Sequence, residues 1–515
     1  MIQSKILKVD GQWEWIVDDL PFRAYAGEIH NSNASNLDFM DGHVWPYITD
    51  MNLNTLLYPV YWEKTEPQEG VFDFSLLEGI TKKCQELDLK AIVLWFGLWK
   101  NSASTYVPRW VKQDQERFFR AEDKHGKKLN TISPVCENAV NADKKAFTAL
   151  LSRLKQINAE KTTVIAVQIE NEMGLLGSDR DYSEQASRQF HGLVPEALMA
   201  SFGIAQLGSY EELFEEDASE VFMTGAYTSA LHTITCAGKE VYDIPMLVNA
   251  WIEKYPWRPG GYPSGGPISK YMHVWKQMVP EITALAPDVY VPEFEEVVVK
   301  YATDTNPLLI PEYRRDIYNI SNAFHAFGKY NALCFSIFGI EDLSTPPELR
   351  LGIFNPSVMA TLNIDMEAWQ INGTTKVLKE MYDILKNSEE LRDAARKKGK
   401  LHSFARVNEM EKGTVIETKN YTFQIVYNAI DKEKPKAAGM IIEVDENQFY
   451  IMGTSFKLRY LPKKGMNHEI DILNYEEGKL NKGIWEMQRS LNGDEGYFIQ
   501  FYDFPEVRRL ELYTY

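Results

Sequence analysis

The chain has 515 residues, 44% of them apolar and 25% charged, the balance of a folded, water-facing protein with room for more than one domain. Acidic residues outnumber basic ones 73 to 55, a formal net charge of −18, which argues against nucleic acid or an anionic membrane as partner, since each needs a basic face. There is no apolar run of about 18 residues to span a membrane, and the start, MIQSKILKVDGQWEW, lacks the apolar core of a secretory leader, so a cytoplasmic protein is expected.

In chain order, short and nearly continuous apolar runs recur at 22–29 (FRAYAGEI), 55–61 (TLLYPVY), 90–95 (KAIVLW) and 163–168 (TVIAVQ). Four more follow at 245–249 (PMLVN), 288–291 (DVYV), 308–311 (LLIP) and 332–337 (ALCFSI). Such runs suit parallel strands buried on both faces. Helical patterns lie between them. Residues 74–87 put Leu76, Leu77, Ile80, Cys84 and Leu87 on one face, and 143–157 do the same with Phe147, Leu150, Leu151, Leu154 and Ile157. Further helices are expected over 272–285, before the sixth run, and 373–385, after the eighth. Eight strands alternating with helices predict an α/β fold, a (β/α)8 TIM barrel over residues 1–395.

Beyond ARKKGK (395–400), read as a solvated linker, the rhythm changes. Short runs at 414–419, 421–428, 439–444, 448–452, 456–460 and 497–502 are separated by turn signals such as PKKG and NGDEG. They predict an antiparallel β-sandwich-like accessory domain over residues 396–515. The four cysteines, Cys84, Cys136, Cys236 and Cys334, show no CxxC pairing and read as reduced structural thiols. The histidines show no ligand spacing, so no metal and no cofactor is expected.

Barrels carry their chemistry at the C-terminal ends of the strands. After the fourth run, VQIENEMG places Glu170, Asn171 and Glu172 at the mouth; after the seventh, LLIPEYRRD places Glu312 there. Two carboxyls, one protonated and one ionised, are what cleavage of a glycosidic bond requires. Glu293, in VPEFEE after the sixth run, ranks lower. Among the aromatic residues near strand ends, Tyr61, Trp95, Trp99 and Trp251 are candidate sugar platforms, with core packing the competing use. His30, after the first run, stands between a sugar contact and a structural role. The loop GGYPSGGP (260–267) reads as a lid or a plain connector.

At this point the chain resembles a known group. YWEKTEPQEGVFDF (61–74) is similar to the W-x-x-x-E-P-x-x-G-x-F-D-F block of β-galactosidases of glycoside hydrolase families 35 and 42, and VQIENEMG (167–174) resembles their Q-I-E-N-E-x-G block. The resemblance spans roughly residues 20–375, and the all-β tail is similar to the accessory module of a divergent bacterial branch. It implies that Glu172 is the acid/base, that Asn171 binds the sugar 2-hydroxyl, and that Glu312, after strand seven, is the nucleophile. The loop FGLWKNSAS (96–104) departs from the family 35 wording, leaving Asn101 as a candidate sugar ligand; the cysteine zinc cluster common in family 42 is missing.

The expected activity is that of a retaining exo-glycosidase that releases a terminal β-linked sugar, foremost β-D-galactose, from an oligosaccharide or glycoside. Other β-glycosidases, on glucosides, mannosides or arabinosides, and a catalytically inactive sugar-binding barrel stay open. A homo-oligomer is compatible with the acidic surface. Burial and the Glu312 charge should raise the Glu172 pKa, and the two carboxyls should lie about 5 to 5.5 Å apart. Of Arg314 and Arg315, one is expected to support Glu312 and one to form a structural ion pair.

Overall fold

The computed structural model describes residues 3–253, 257–350, 365–465, 468–497 and 499–515. Its central sheet has eight strands: β1 (Ala24–Glu28), β2 (Thr55–Tyr61), β3 (Lys90–Lys100), β4 (Val164–Asn171), β5 (Met246–Ala250), β6 (Ile282–Pro287), β7 (Leu309–Tyr313) and β8 (Cys334–Phe338). They run side by side in the order β6-β5-β4-β3-β2-β1-β8-β7. A parallel bridge from Val289, just past β6, to Tyr313 of β7 joins the two ends. This is the expected TIM-like barrel. Every residue of β2, β4, β5, β7 and β8 is buried, which is why these segments read as unbroken apolar runs.

Helices Ser75–Glu86 and Glu137–Ile157 bury the faces their periodicity predicted. The helix Ala218–Val241 packs closely on Glu137–Ile157. A Cβ on its Gly238 would meet the Phe147 ring at 2.6 Å. Ahead of the barrel an antiparallel meander (Ser4–Val9, Gln12–Val17, Leu20–Phe22) went unread in the sequence. Its Ser4 hydroxyl donates to the Ile165 carbonyl at 2.5 Å, at the start of β4, so the meander lies at the N-terminal end of the strands.

The sixth strand corrects the sequence reading. It is Ile282–Pro287, where a helix was expected to run, and that helix is only Met272–Met278. Ile282 and Leu285 fit a helical stripe, which hid the break that Pro280 signals. The shift places Asp288 at the end of the strand.

The chain divides into two compact units. One comprises residues 1–46, 54–288 and 299–312, the other residues 47–53, 289–298 and 313–515. The second contains two antiparallel sheets. One has six strands, in the order Leu401–Ala405, Ala438–Glu443, Gln448–Thr454, Glu506–Thr514, Ile470–Asn481, Ile484–Ser490; the other has four, Gly413–Glu417, Tyr421–Tyr427, Phe456–Pro462, Ile499–Phe501. Side chains from both, among them Phe423, Phe449, Phe456, Phe501 and Leu510, form one core, the packing of a β-sandwich. Of the expected run 497–502, residue 498 lies outside the described residues. Strand Ile484–Ser490 escaped the reading because it is an edge strand with almost no buried residue. The ARKKGK segment begins in the last turn of helix Glu389–Lys397, where Arg396 donates to the Gly328 carbonyl at 2.8 Å. Among the described residues no helix is long and apolar enough to cross a membrane.

Phe456 and Phe501 stack at 4.3 Å within the sandwich core. Phe456→Ala should therefore cost about 3–5 kcal/mol, read as a lowered unfolding midpoint of the full chain in denaturant.

Candidate active site

Strand ends bring a set of polar side chains together. Asn171 ends β4 with Glu172 directly after it, Asn249 lies in β5, Asp288 follows β6, and Glu312 lies in β7. The Asn249 amide nitrogen donates to Asp288 Oδ2 at 2.7 Å and to Glu312 Oε1 at 3.2 Å, while its oxygen accepts from the Glu172 backbone N–H at 2.9 Å. Asn171 Nδ2 donates to the same Glu312 oxygen at 3.2 Å. Lys100, the last residue of β3, donates from Nζ to Asn171 Oδ1 at 2.7 Å. Glu172 is 9% exposed and Glu312 5%: enclosed, yet open enough to meet a ligand.

The backbone that carries Glu172 is unusual. Glu170 and Glu172 have φ of +58° and +45°, left-handed values that cost a side-chain-bearing residue about 1–3 kcal/mol. Neighbours hold it in place. Lys100 and Ala103 exchange backbone hydrogen bonds at 2.8 and 3.0 Å around Asn101 and Ser102, both with positive φ, a type I′ turn. From that turn Asn101 N–H donates to the Asn171 carbonyl at 3.0 Å, and Ser102 Oγ to the Glu172 carbonyl at 3.1 Å.

Burial, then the Glu312 charge, push the Glu172 carboxyl up to about 7; Lys100 and a hydrogen bond with Asp288 pull the other way. Asp288 is raised well above the carboxylate range by burial, then by Glu312, Glu172 and Glu28. Beneath this layer lies a second pair. Glu170 and Asp143 are fully buried and hydrogen-bonded to each other, and burial raises both. Glu170 accepts from Trp99 N–H at 2.7 Å and Leu98 N–H at 3.2 Å; Asp143 accepts from Trp95 Nε1 at 2.8 Å.

The aromatic and polar residues singled out in the sequence fall in different surroundings. Trp95 and Trp99 are not platforms: β3 runs on to Lys100, both rings are fully buried, and Trp99 Nε1 donates to the Ile132 carbonyl at 3.0 Å. Tyr61 is buried against the Tyr106 ring at 5.4 Å. Trp251 is part-exposed, its ring 6.1 Å from Trp257. His30 is buried, its carbonyl accepting from Asn33 N–H. Asn101 has an exposed side chain and joins the site through its backbone. Glu293 is exposed, just ahead of helix Phe294–Tyr301.

Both arginines form ion pairs with aspartates. Arg314 pairs with Asp316 and Asp365, and Arg315 with Asp342. The glycine-rich loop 260–267 is a fastened connector. Ser264 and Leu175 exchange backbone hydrogen bonds at 2.9 Å, Tyr262 donates to Glu220 at 2.8 Å, and a Cβ on Gly266 would meet the Met173 carbonyl at 2.4 Å. Elsewhere, His232, Cys236 and Glu281 bring ligand atoms within 4.8 Å of one another, a spacing that does not show in the sequence. The Glu281 carboxylate there already accepts from His232 and Thr235.

Lys100, Asn249 and Asp288 were missed. Asn249 closes the fifth apolar run and could have been found by asking which polar residue ends each strand. Asp288 was hidden by the misplaced sixth strand, and Lys100 by a third strand read too short.

Gly97 lies against the buried pair: a Cβ there would come 2.5 Å from Trp95 Nε1, 2.7 Å from Glu170 Oε1 and 2.8 Å from Asp143 Oδ2. Gly97→Ala should therefore destabilise the chain by about 1–3 kcal/mol, measured by denaturant unfolding.

Residues 49–205 match the glycoside hydrolase family 42 profile, described as "Beta-galactosidase", and residues 378–502 match a domain of unknown function, DUF5597. Human "Beta-galactosidase-1-like protein 2" is 29% identical over 184 residues, 33% of this chain and 25% of that protein. Human "Beta-galactosidase-1-like protein 3" is 30% identical over 143 residues, 25% of this chain and 18% of that protein. The chain thus spans a quarter or less of the length of these relatives. Among solved structures, a β-galactosidase from Bacillus circulans sp. alkalophilus shows 12% identity and a TM-score of 0.44, covering 61% of this chain and 50% of its own. The catalytic domain of a β-amylase from Paenibacillus polymyxa shows 12% identity and a TM-score of 0.47, covering 63% and 95%. Residues 49–205 are thus similar to glycoside hydrolase family 42, and residues 378–502 to the DUF5597 domain.

Proposed function

We propose that this protein is a retaining exo-glycoside hydrolase that releases a terminal β-linked sugar, foremost β-D-galactose, from an oligosaccharide or glycoside. The observation that carries the reading is the pairing of Glu172 and Glu312 at the ends of β4 and β7, with the Asn171 and Asn249 amides both directed at Glu312 Oε1. Residues 1–395 supply the chemistry, and residues 396–515 are an accessory domain. The "Beta-galactosidase" description of the matched family and the names of the human relatives support the choice of sugar.

In the first step the Glu312 carboxylate attacks the anomeric carbon while Glu172 gives its proton to the leaving oxygen, and a covalent glycosyl–enzyme forms. Glu172, now ionised, then takes a proton from water, which attacks the same carbon and frees Glu312. A carboxyl near 7 suits both duties, being protonated enough to give and basic enough to accept. Asn171 is placed to hydrogen-bond the sugar 2-hydroxyl, and Tyr61, His30 and Trp251 are the candidate side chains for the remainder of the ring.

The test is hydrolysis of a panel of nitrophenyl glycosides by wild type, Glu172→Ala and Glu312→Ala. Each variant should lose about 100- to 10,000-fold in rate. Azide should rescue Glu172→Ala to a β-glycosyl azide and Glu312→Ala to an α-glycosyl azide. The preferred glycoside names the sugar. A fully active Glu312→Ala would sink the assignment, and a wild type that cleaves nothing would favour the inactive sugar-binding barrel. The pH dependence has a defined sign: the first step needs protonated Glu172, so kcat/KM should fall as pH rises through about 7, and Glu172→Gln should lack that limb.

A further inference from the structure

We propose that Lys100 is a positioning residue for this reaction: it fixes which face of the Asn171 amide meets Glu312 and supplies a positive charge to the carboxyl cluster. The inference rests on the retaining-glycosidase reading and assigns a role outside the two-glutamate mechanism.

A primary amide can turn either its oxygen or its nitrogen to a neighbour. A lysine ammonium has only donors. Lys100 Nζ, 2.7 Å from Asn171 Oδ1, therefore claims the oxygen and leaves Nδ2 to face Glu312 Oε1 at 3.2 Å. Without Lys100 only Glu312 selects the orientation of the amide, and a turned-over amide would set its oxygen against a carboxylate oxygen. The charge matters as well. The groups acting on one another across the mouth are Glu28 from β1, Glu172 from β4, Asp288 from β6 and Glu312 from β7, all buried. Lys100, 7% exposed, is the cation that opposes the upward shift of both Glu172 and Asp288.

The lysine is held on both sides. Before it, the Asp143–Glu170 pair accepts the Leu98 and Trp99 N–H groups and the Trp95 indole. After it comes the Asn101–Ser102 turn, bonded to the backbone of Asn171 and Glu172. Its stem passes over the Phe96 ring, with Nζ 5.1 Å from the centroid. So rigid a mounting suits a side chain whose task is to orient another.

The test uses Lys100→Met, Lys100→Arg, Lys100→Ala with added ethylammonium, Asn171→Ala, and the Lys100→Met/Asn171→Ala double variant, each first checked for an unchanged unfolding midpoint. The Glu172 carboxyl is followed by 13C-carboxyl titration, assigned against Glu172→Gln. Lys100→Met should raise its midpoint by about one pH unit and move the alkaline limb of kcat/KM with it. On the preferred glycoside kcat should fall about 100-fold with KM little changed. The double variant should lose less than the sum of the two single losses, because both changes remove the Lys100–Asn171 contact while only Lys100→Met removes the charge. Lys100→Arg, or ethylammonium with Lys100→Ala, should restore the midpoint and much of the rate. An unmoved Glu172 midpoint, or losses that simply add in the double variant, would overturn the proposal. A wild type that cleaves no glycoside counts against the glycosidase reading, while the titration still decides the electrostatic role of Lys100.

Discussion

The side chain of Asn249 ties the mouth of this barrel together. One amide bonds the backbone after β4, the carboxyl after β6 and the carboxyl of β7, and so joins three strand ends that lie far apart in sequence. Gathering Glu28, Glu172, Asp288 and Glu312 behind low-dielectric walls is costly unless their charges are divided or shared. The division is visible. Burial favours the protonated forms of Glu172 and Asp288, amide donors converge on Glu312, and Lys100 offsets part of the negative charge. A hydrophobic residue at position 249 would leave the Glu172 N–H and two carboxylate oxygens without this partner, which is why a polar side chain closes an otherwise apolar strand.

Much of this was legible in the sequence because parallel strands buried on both faces leave unmistakable apolar runs. Seven of the eight strands lie where such runs fall, and counting them put Glu172 and Glu312 at one end of one sheet. The losses have local causes. The Met272–Met278 helix and the β6 strand share a spacing that a single hydrophobic stripe fits, so the sequence pattern puts Asp288 at the start of a strand that it in fact follows. β3 continues past Trp95 to Lys100, which turns Trp95 and Trp99 from rim residues into core. Whether an aromatic ring faces sugar or core depends on where the strand stops, and composition alone does not fix that.

The strained geometry around Glu172 follows from the same constraint. A regular strand would point Glu170 and Glu172 to the same side. The positive φ at both residues instead lets Glu170 turn into the packed layer around Asp143 while Glu172 faces the mouth. That strain persists because its surroundings over-determine it: Asn101 and Ser102 hold the Asn171 and Glu172 carbonyls, and Asn249 holds the Glu172 N–H. The type I′ turn after β3 is therefore a backbone clamp on the β4 end. It explains why Asn101 matters to the site through its main chain while its side chain points to solvent.

Two layers of carboxyls thus sit one behind the other with the same pH sense. In the rear layer burial raises Asp143 and Glu170 above their unfolded values, so the folded state binds the extra proton more tightly. Its contribution is fully present at low pH and is lost as pH rises through the folded-state midpoint. In the front layer the reaction asks for protonated Glu172, a form also lost as pH rises, through about 7. Ionising the rear pair would set two charges against each other under Leu98 and Trp99, the segment that carries Lys100 towards Asn171. The support of the site and its acid therefore fail in the same direction, as pH rises.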